Sequence, residues 1–313
     1  MSADNAPLID PYGRHVGSLR VSVTQRCDLS CGHCHKEGQT PSREEMSPEE
    51  IARIVRVGAS LGIRKVKLTG GEPLIREDIN EVVRLISPFL REVSMTTNGT
   101  RLPELARPLK VAGLKRVNVS LHTLSPTRYA SICGRDSLQR VLAGIHAARE
   151  AGLEPVKVNM VVMRSINEGE VDAMIDFCAR SGAILQLIEY ETDREGARCP
   201  SFAKRFFPLS AIEDRLRSMA ASVEVNELHR RRRYRIQDNG TTAEVEVVRP
   251  MHNSEFCANC TRLRLSSDGL LKPCLMESAG DVDLLTPLRM GASDEDLKAL
   301  FRKAVSNRRP YWG

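Results

Sequence analysis

The sequence predicts an α/β fold, a partial (βα)6 TIM-like barrel followed by a C-terminal extension. Between residue 18 and about residue 190, short β-branched or apolar runs alternate with amphipathic stretches of helical period. Six such repeats imply parallel strands joined by right-handed crossovers, two short of a closed eight-fold barrel. Because the rhythm ends after residue 190, we divide the chain into a barrel, 1–190, and an extension, 191–313.

Each predicted strand is a short run of β-branched and apolar residues. The strands cover 19–24, 65–69, 92–96, 116–121, 155–163 and 184–190. The first helix is predicted after Ser47, with Pro48 at the first helical position and Glu50 three residues after the cap. Further helices are predicted near 77–87, 101–112, 136–151 and 167–181.

The extension is predicted to have mixed structure. Residues 191–205 are expected to form a loop, and a helix is predicted near 208–221. Residues 222–237 and 241–250 alternate like two antiparallel strands, joined by the turn Asp238-Asn239-Gly240. The basic run within them, 229–235, fits a strand face or exposed edge better than a nucleic-acid site. A last helix is predicted near 294–305.

Composition limits the classes of function. In 313 residues, 46 basic and 40 acidic side chains give a net charge of +6, which suits an anionic small molecule at least as well as a nucleic acid. Aromatic residues make up only 4%, which argues against a base-stacking surface for single strands. No signal peptide or membrane span is predicted, so we expect a cytoplasmic protein with no membrane or nucleic-acid partner. In that compartment, clustered cysteines indicate a metal site or catalysis rather than disulfides.

Three cysteines, Cys27, Cys31 and Cys34, directly follow the first predicted strand with the spacing C-x3-C-x2-C. Loops at this end of the strands carry the active sites of such barrels. Iron–sulfur clusters are normally held by four thiolates, so three around a four-iron cluster would leave one iron open to a ligand. The alternative is a zinc site completed by His33 or His35.

The run CDLSCGHC, residues 27–34, resembles the cluster loop of the radical S-adenosylmethionine (SAM) enzymes. In that family the amino and carboxylate groups of SAM chelate the open iron, and one electron from the cluster cleaves SAM to a 5′-deoxyadenosyl radical. The run LTGGEPL, residues 68–74, follows the second predicted strand, where the family has its GGEP motif for the SAM amino group. The runs TTNGT, 96–100, and VNVSLHTL, 117–124, end the third and fourth strands.

A second group, Cys257, Cys260 and Cys274, has the spacing C-x2-C-x13-C. It is either a second open cluster or a zinc site completed by Cys199 or a histidine such as His252. Through most of the chain, up to FCANCTRLRLSSDGLLKPCL at 256–275, the sequence resembles the molybdenum cofactor biosynthesis protein A family. Members are GTP 3′,8-cyclases, which make 3′,8-cyclo-7,8-dihydro-GTP in the first step of molybdopterin synthesis. The resemblance implies two [4Fe-4S] clusters, with SAM on the first and the guanine of GTP on the second.

The resemblance also assigns roles by position. The six cysteines of the two groups would hold the clusters, and three residues would contact SAM: His33, Gly71 and Ser120. The GTP-binding positions are Arg20, Lys67, Thr97, Lys157, Arg262, Leu263 and Arg264. Of these, Arg262 and Arg264 are the expected catalytic residues. A triphosphate needs several fixed cations, which supports basic residues on the predicted strands.

The chain departs from the family pattern at four places. His33 stands where the family usually has an aromatic residue, and His122 where an acidic residue is frequent. Glu191 stands where many members place a methionine near SAM. Many members end in a double glycine that reaches into the active site, whereas this chain ends in the tail 311–313, Tyr-Trp-Gly.

We therefore expect a lyase in which the 5′-deoxyadenosyl radical takes the ribose 3′ hydrogen of GTP and the 3′ carbon then attacks C8 of guanine. The resemblance implies a reductant protein such as ferredoxin or flavodoxin, and it agrees with a homodimer, the commonest oligomer. One alternative is a radical SAM peptide maturase with an auxiliary cluster, which predicts more than three C-terminal cysteines. The other is a zinc-binding regulatory protein, which predicts zinc and no SAM cleavage.

Overall fold

The computed structural model describes residues 7–39, 42, 44–226, 228–238 and 241–312. Its strands are β1 Ser18–Ser22, β2 Lys65–Thr69, β3 Glu92–Thr97, β4 Arg116–Ser120, β5 Lys157–Val162, β6 Ile184–Glu189, β7 Ser222–Val225, β8 Arg232–Asp238, β9 Thr241–Val248, β10 Arg262–Leu265, β11 Leu270–Lys272 and β12 Val282–Asp283. Its helices are α1 Pro48–Ser60, α2 Ile79–Ile86, α3 Leu102–Ala112, α4 Pro126–Cys133, α5 Leu138–Glu150, α6 Val171–Ser181, α7 Pro200–Arg205, α8 Ser210–Met219, α9 Ser254–Ala258, α10 Leu285–Arg289 and α11 Asp294–Ser306. Within these ranges, every helix is too short or too polar to cross a membrane.

The sheet confirms the partial barrel. Strands β1 to β6 are neighbours in chain order, and each pair is parallel. The extension adds a parallel strand at each edge, β10 beside β1 and β9 beside β6. Antiparallel strands lie outside these, β11 and β12 at one edge and β8 and β7 at the other. The extension therefore continues the barrel sheet, and the division at residue 190 stays a prediction.

Two segments that belong to opposite sides of the sheet are also in contact. The His229 backbone N–H, just before β8, donates to the carbonyl oxygen of Asn259, just before β10, at 3.1 Å. The ring of His229 stacks on Phe256 of α9 with ring centroids 3.7 Å apart. These contacts link the segment before β8 to the segment before β10, which the six barrel strands and β9 separate in the sheet.

The predicted helices of the barrel are confirmed, and the first has the predicted capping box. The Ser47 hydroxyl accepts the Glu50 N–H at 3.2 Å, while the Glu50 carboxylate accepts the Ser47 N–H at 2.8 Å. The last helix is also confirmed as α11, and the helix near 208–221 as α8.

Two predictions for the extension are wrong in part. The expected loop 191–205 contains helix α7, which Pro200 begins and which buries Phe202 against Tyr190 at 5.6 Å between ring centroids. The expected strand 222–237 is two strands, β7 and β8, because His229 and Arg230 have positive φ angles that no strand allows. Residues Asn239 and Gly240 of the predicted turn lie outside the described residues.

Each barrel strand separates an apolar outer face from a polar inner face. In β4, Val117 and Val119 are fully buried beneath the helices, and Arg116, Asn118 and Ser120 alternate with them. The apolar outer face supplies the core, at roughly 1.5–3 kcal/mol for each fully buried Val or Leu. The polar inner face is therefore free to line a site rather than a packed core.

Candidate active site

Two adjoining cavities open on the polar inner face. One is lined by the first cysteine group and the other by the second, and each has a volume of about 230 Å³. We call them the SAM-side cavity and the cationic cavity. Their shared wall consists of Arg20, Thr96, Asn159, Ile188 and Glu191.

The first cysteine group lines the SAM-side cavity on the loop after β1. Cys27, Cys31 and Cys34 are free thiols that reach the cavity surface. Backbone N–H groups of Leu29 and Lys36 point at the sulfurs of Cys27 and Cys34, at 3.5 and 3.3 Å. Such N–H···S contacts favour thiolates that ligate a cluster. Burial raises the pKa of Cys27 to about 11, so a positively charged metal centre would be needed to hold it as a thiolate.

The loop after β2 is fitted closely against the cysteine loop. The Gly71 N–H donates to the carbonyl oxygen of Thr24 at 2.8 Å. A Cβ atom at Gly71 would lie 2.2 Å from the carbonyl oxygen of Arg26, so only glycine fits there. The next residue, Glu72, accepts the Thr97 hydroxyl at 2.6 Å and the Asn98 N–H at 2.6 Å. One carboxylate therefore ties this loop to the end of β3.

The other residues predicted to contact SAM also line the SAM-side cavity. Ser120, at the end of β4, lies there with Gly71 and His33. His33 packs edge-on against His122, with ring centroids 4.3 Å apart. Burial lowers the pKa of His33 to about 4, and its Nδ1 atom has no hydrogen-bond partner among the described residues. A neutral ring with a free buried nitrogen suits a polar ligand such as SAM.

The second cysteine group lines the cationic cavity, held by both ends of the chain. Arg14 donates to the carbonyl oxygen of Cys257 at 2.8 Å, and Arg308 to that of Cys260 at 2.7 Å. Asp10 bridges the two arginines, at 2.7 and 2.8 Å. Cys274 follows β11 and faces the same cavity. The structure therefore brings the three cysteines, from the helix α9 region and from the segment after β11, to one surface.

The two cysteine groups can be compared with a single-ion site. In the part of the chain that the structure describes, no three His, Cys, Asp or Glu side chains converge at the distances of one bound metal ion. The donor set of each group is three free cysteines, and backbone N–H groups point at the sulfurs of Cys27, Cys34 and Cys257. Three thiolates of this kind fit a four-iron cluster with one open iron.

Arg20 and Arg264 are neighbours in register on β1 and β10, and they share one carboxylate. Glu37, on the cysteine loop, lies 2.7 Å from Arg264 and 3.5 Å from Arg20. Burial raises the pKa of Glu37, but the two arginines outweigh it and hold the pKa at about 2. The predicted phosphate-binding arginines are thus positioned by the loop that carries the first cysteine group.

Lys67 and Lys157 also line the cationic cavity. Lys67 donates to the Asn118 side chain at 2.9 Å, and burial together with Arg116 and Arg20 pushes the pKa of Lys67 well below its usual range. Lys157 pairs with Glu246 of β9 at 2.5 Å. Burial lowers the pKa of Lys157 to about 8 even though Glu246 opposes the shift.

Arg262 and Leu263 have opposite environments. Arg262 lines the cationic cavity, and its side chain makes no hydrogen bond or ion pair within the described residues. Burial, with Arg20 and Arg264 nearby, lowers the pKa of Arg262 to about 9. Leu263 is fully buried and lines neither cavity, because it lies between two inward residues of β10 and so faces the helices. Thr97 lines the SAM-side cavity rather than the cationic one.

Sequence reasoning missed several cavity residues. The additional polar residues of the cationic cavity include Arg14, Arg116, Asn118, Asn159, Gln186, Arg231 and Arg308. Those on strands could have been found from period two, since each alternates with apolar residues. Arg231 could not, because it belongs to the basic run that we interpreted as a strand face or exposed edge. That interpretation holds for Arg235, which pairs with Glu244 at 2.9 Å, but is wrong for Arg231.

Comparison with known proteins agrees with these features. A family model described as Radical SAM superfamily matches residues 21–178, and one described as Molybdenum Cofactor Synthesis C matches residues 183–313. A Thermococcus kodakarensis protein named probable GTP 3′,8-cyclase is 52% identical over 306 residues, which is 97% of this chain and 99% of the relative. A Pyrococcus abyssi protein with the same name is 51% identical, with 97% and 99% coverage.

Among solved structures, Streptococcus suis SuiB bound to S-adenosylmethionine is similar, with a TM-score of 0.62 at 17% identity. The match covers 84% of this chain and 61% of SuiB. At that identity the likeness concerns the fold alone.

Proposed function

Because this chain belongs to the radical SAM superfamily and, within it, to the family of probable GTP 3′,8-cyclases, we propose that it converts GTP to 3′,8-cyclo-7,8-dihydro-GTP. This reaction is the first step of molybdopterin synthesis. The observation that supports this most is the pair of adjoining cavities, each lined by three cysteines, the second of which is also lined by several arginines and lysines.

The residues of the chain bind and orient the substrate. Arg20, Arg262 and Arg264 offer guanidinium groups to the triphosphate, and arginine matches phosphate oxygens in a bidentate manner. Lys67 and Lys157 add point charges from β2 and β5. Arg262 is the best placed of these for an incoming anion, because its side chain has neither a hydrogen bond nor an ion pair among the described residues. A cavity with this many cations is costly without an anion, which supports an anionic substrate.

The two cysteine groups hold the cofactors. Cys27, Cys31 and Cys34 would hold a [4Fe-4S] cluster that, when bound, supplies the electron for SAM cleavage and thereby the group that takes the ribose 3′ hydrogen. Cys257, Cys260 and Cys274 would hold a second [4Fe-4S] cluster whose open iron supplies a Lewis acid for the guanine base.

Neither alternative function explains the cationic cavity. A peptide maturase has no need for Arg262 and Lys67, two cations of the cavity that pair with no carboxylate among the described residues. A regulatory zinc protein has no need for a cavity beside each cysteine group. We propose further that the protein works in the cytoplasm with a reductant such as ferredoxin or flavodoxin, and as a homodimer.

The test is a single-turnover reaction under anaerobic conditions. Cluster-loaded protein is mixed with SAM, a chemical reductant and GTP deuterated at the ribose 3′ position. We expect the cyclised nucleotide and 5′-deoxyadenosine that carries the deuterium, both detected by mass spectrometry. SAM cleavage that leaves GTP unchanged and 5′-deoxyadenosine unlabelled would refute GTP as the substrate.

A further inference from the structure

Tyr311 and Trp312 of the C-terminal tail line the cationic cavity, and Arg194 holds Tyr311 in place. Tyr311 is 8% exposed, and its hydroxyl accepts the Arg194 backbone N–H at 2.7 Å. The Arg194 guanidinium donates to the Tyr311 carbonyl oxygen and lies over the Tyr311 ring at 4.7 Å from its centroid. Arg194 belongs to the segment between β6 and α7, so two distant parts of the chain fix the tail.

Trp312 lies beside the second cysteine group. Its backbone N–H points at the Cys257 sulfur at 3.4 Å. Its ring contacts Tyr311 and His252, with centroids 4.9 and 4.3 Å apart, and the residue lines the cationic cavity. Trp312 is the only tryptophan in the sequence.

The lining of the cationic cavity combines cations with apolar side chains. The cations include Arg20, Lys67 and Lys157 on the barrel strands and Arg262 and Arg264 on β10. The apolar residues come almost entirely from residues 228–312. They include Leu228, Val248, Pro250, Phe256, Leu275 and Met276. A ligand that suits both kinds of lining carries an anionic group and a flat, weakly polar group, as a nucleotide does.

We propose that Trp312 forms the nucleobase wall of this cavity and determines selectivity for a purine. The proposal rests on the function proposed above, and it adds a specificity-determining residue to that site. The tail places Trp312 beside Cys257 of the second cysteine group, in the lining of the cavity that also holds these apolar residues. Aromatic contact with a base is strong, and the two fused rings of a purine offer an indole a larger π face than the single ring of a pyrimidine, so stacking strength gives a preference for a purine. Loss of such a contact reduces affinity by about 5- to 150-fold.

The experiment measures equilibrium binding to cluster-loaded protein under anaerobic conditions. The probes are GTP, CTP and inorganic tripolyphosphate, which carries the phosphates without a base. Trp312→Ala should weaken GTP binding about 5- to 150-fold, reduce the preference for GTP over CTP and leave tripolyphosphate binding unchanged. Trp312→Phe should keep most of the GTP affinity because it retains an aromatic face. Both variants keep the backbone N–H that faces Cys257, so iron content should not change.

A leucine variant, which is apolar but not aromatic, separates the effect of stacking from that of apolar packing. Trp312→Leu fills space without a π face and should lose GTP affinity as the alanine variant does. Phe89→Leu, an aromatic substitution at a surface position away from both cavities, should behave as wild type. Unchanged GTP binding in the leucine and alanine variants would overturn the proposal. An equal loss for GTP and tripolyphosphate would overturn it too, because it would show damage to the phosphate end.

The proposed function can fail separately. If the wild-type protein binds GTP no more tightly than tripolyphosphate, GTP is not the substrate and the role of Trp312 falls with it. If the wild type prefers GTP and Trp312→Leu retains that preference, only the role of Trp312 is refuted.

Discussion

Glu246→Gln should be among the most destabilising single changes of charge near the site. Glu246 is 1% exposed and accepts three side-chain donors, Lys157 at 2.5 Å, Arg233 at 2.6 Å and Gln186 at 2.7 Å. Arg231 lies a little further away, at 3.9 Å. Burial raises the pKa of Glu246, but Lys157 and Arg231 outweigh it and hold the pKa at about 2.

The magnitude follows from the cations that would be left behind. Removing one partner of a buried ion pair costs about 3–5 kcal/mol, because the other charge stays buried without compensation. The lowered pKa gives a similar size, since a fall from 4.5 to about 2 corresponds to about 3 kcal/mol. For a carboxyl group with a lowered pKa, this stability is present above pH 4.5 and is lost as the pH falls towards 2. At neutral pH the free energy of unfolding of the glutamine variant should therefore be about 3 kcal/mol lower than that of the wild type.

Glu244 provides a matched control on the same strand. It lies two residues earlier in β9, is 24% exposed and pairs with Arg235 and Arg233. Ion pairs that are open to solvent contribute about 0–1 kcal/mol, so Glu244→Gln should change the free energy of unfolding little. Anaerobic urea unfolding of the cluster-loaded variants, followed by far-UV circular dichroism, measures both. Equal and small losses in the two variants would refute the view that Glu246 anchors the cationic wall.

Three further predictions concern ligand binding. GTP affinity should fall as the pH rises through 8, by at most about tenfold per pH unit, because Lys157 loses its proton there. Lys157→Arg should flatten this dependence of GTP affinity on pH. An identical slope in that variant would contradict the role of Lys157. Gly71→Ala places a Cβ 2.2 Å from a carbonyl oxygen of the cysteine loop, so SAM cleavage should fall about 10²-fold, whereas Gly17→Ala, with open space around it, should not alter the rate. Arg264→Ala should weaken GTP binding by roughly 10- to 150-fold in equilibrium dialysis, the value of a charged hydrogen bond, and equal binding by this variant and by the exposed control Arg84→Ala would exclude a role for Arg264.

Local patterns in the sequence predicted most of the barrel. Strands β1 to β6 were predicted within a few residues, because β-branched runs and helix caps are local signals. The two cysteine groups were predicted as chemical sites from spacing, and the structure places each beside a cavity. The alternation of Arg262, Leu263 and Arg264 was visible in the sequence, but its consequence for Leu263 depends on which face of β10 meets the helices.

Long-range pairing explains what the sequence did not predict. Glu37 meets Arg264 only because β10 lies beside β1, and 227 residues separate the two in the chain. Glu246 meets Lys157 only because β9 joins β6, and strand register of this kind has no local signature. The break between β7 and β8 depends on positive φ angles at His229 and Arg230, which the contact of His229 with Phe256 helps to hold. That break is what brings Arg231 to the cavity.

The most direct test of two open clusters around one substrate is the iron and sulfide content of anaerobically purified protein. It should be measured in the wild type and in a variant with Cys257, Cys260 and Cys274 changed to alanine, together with the electronic spectrum. Two four-iron clusters predict roughly eight irons per chain in the wild type and about four in the variant. Zinc in place of iron at the second group would contradict the proposed site for GTP, and zinc at both groups would contradict the radical chemistry itself.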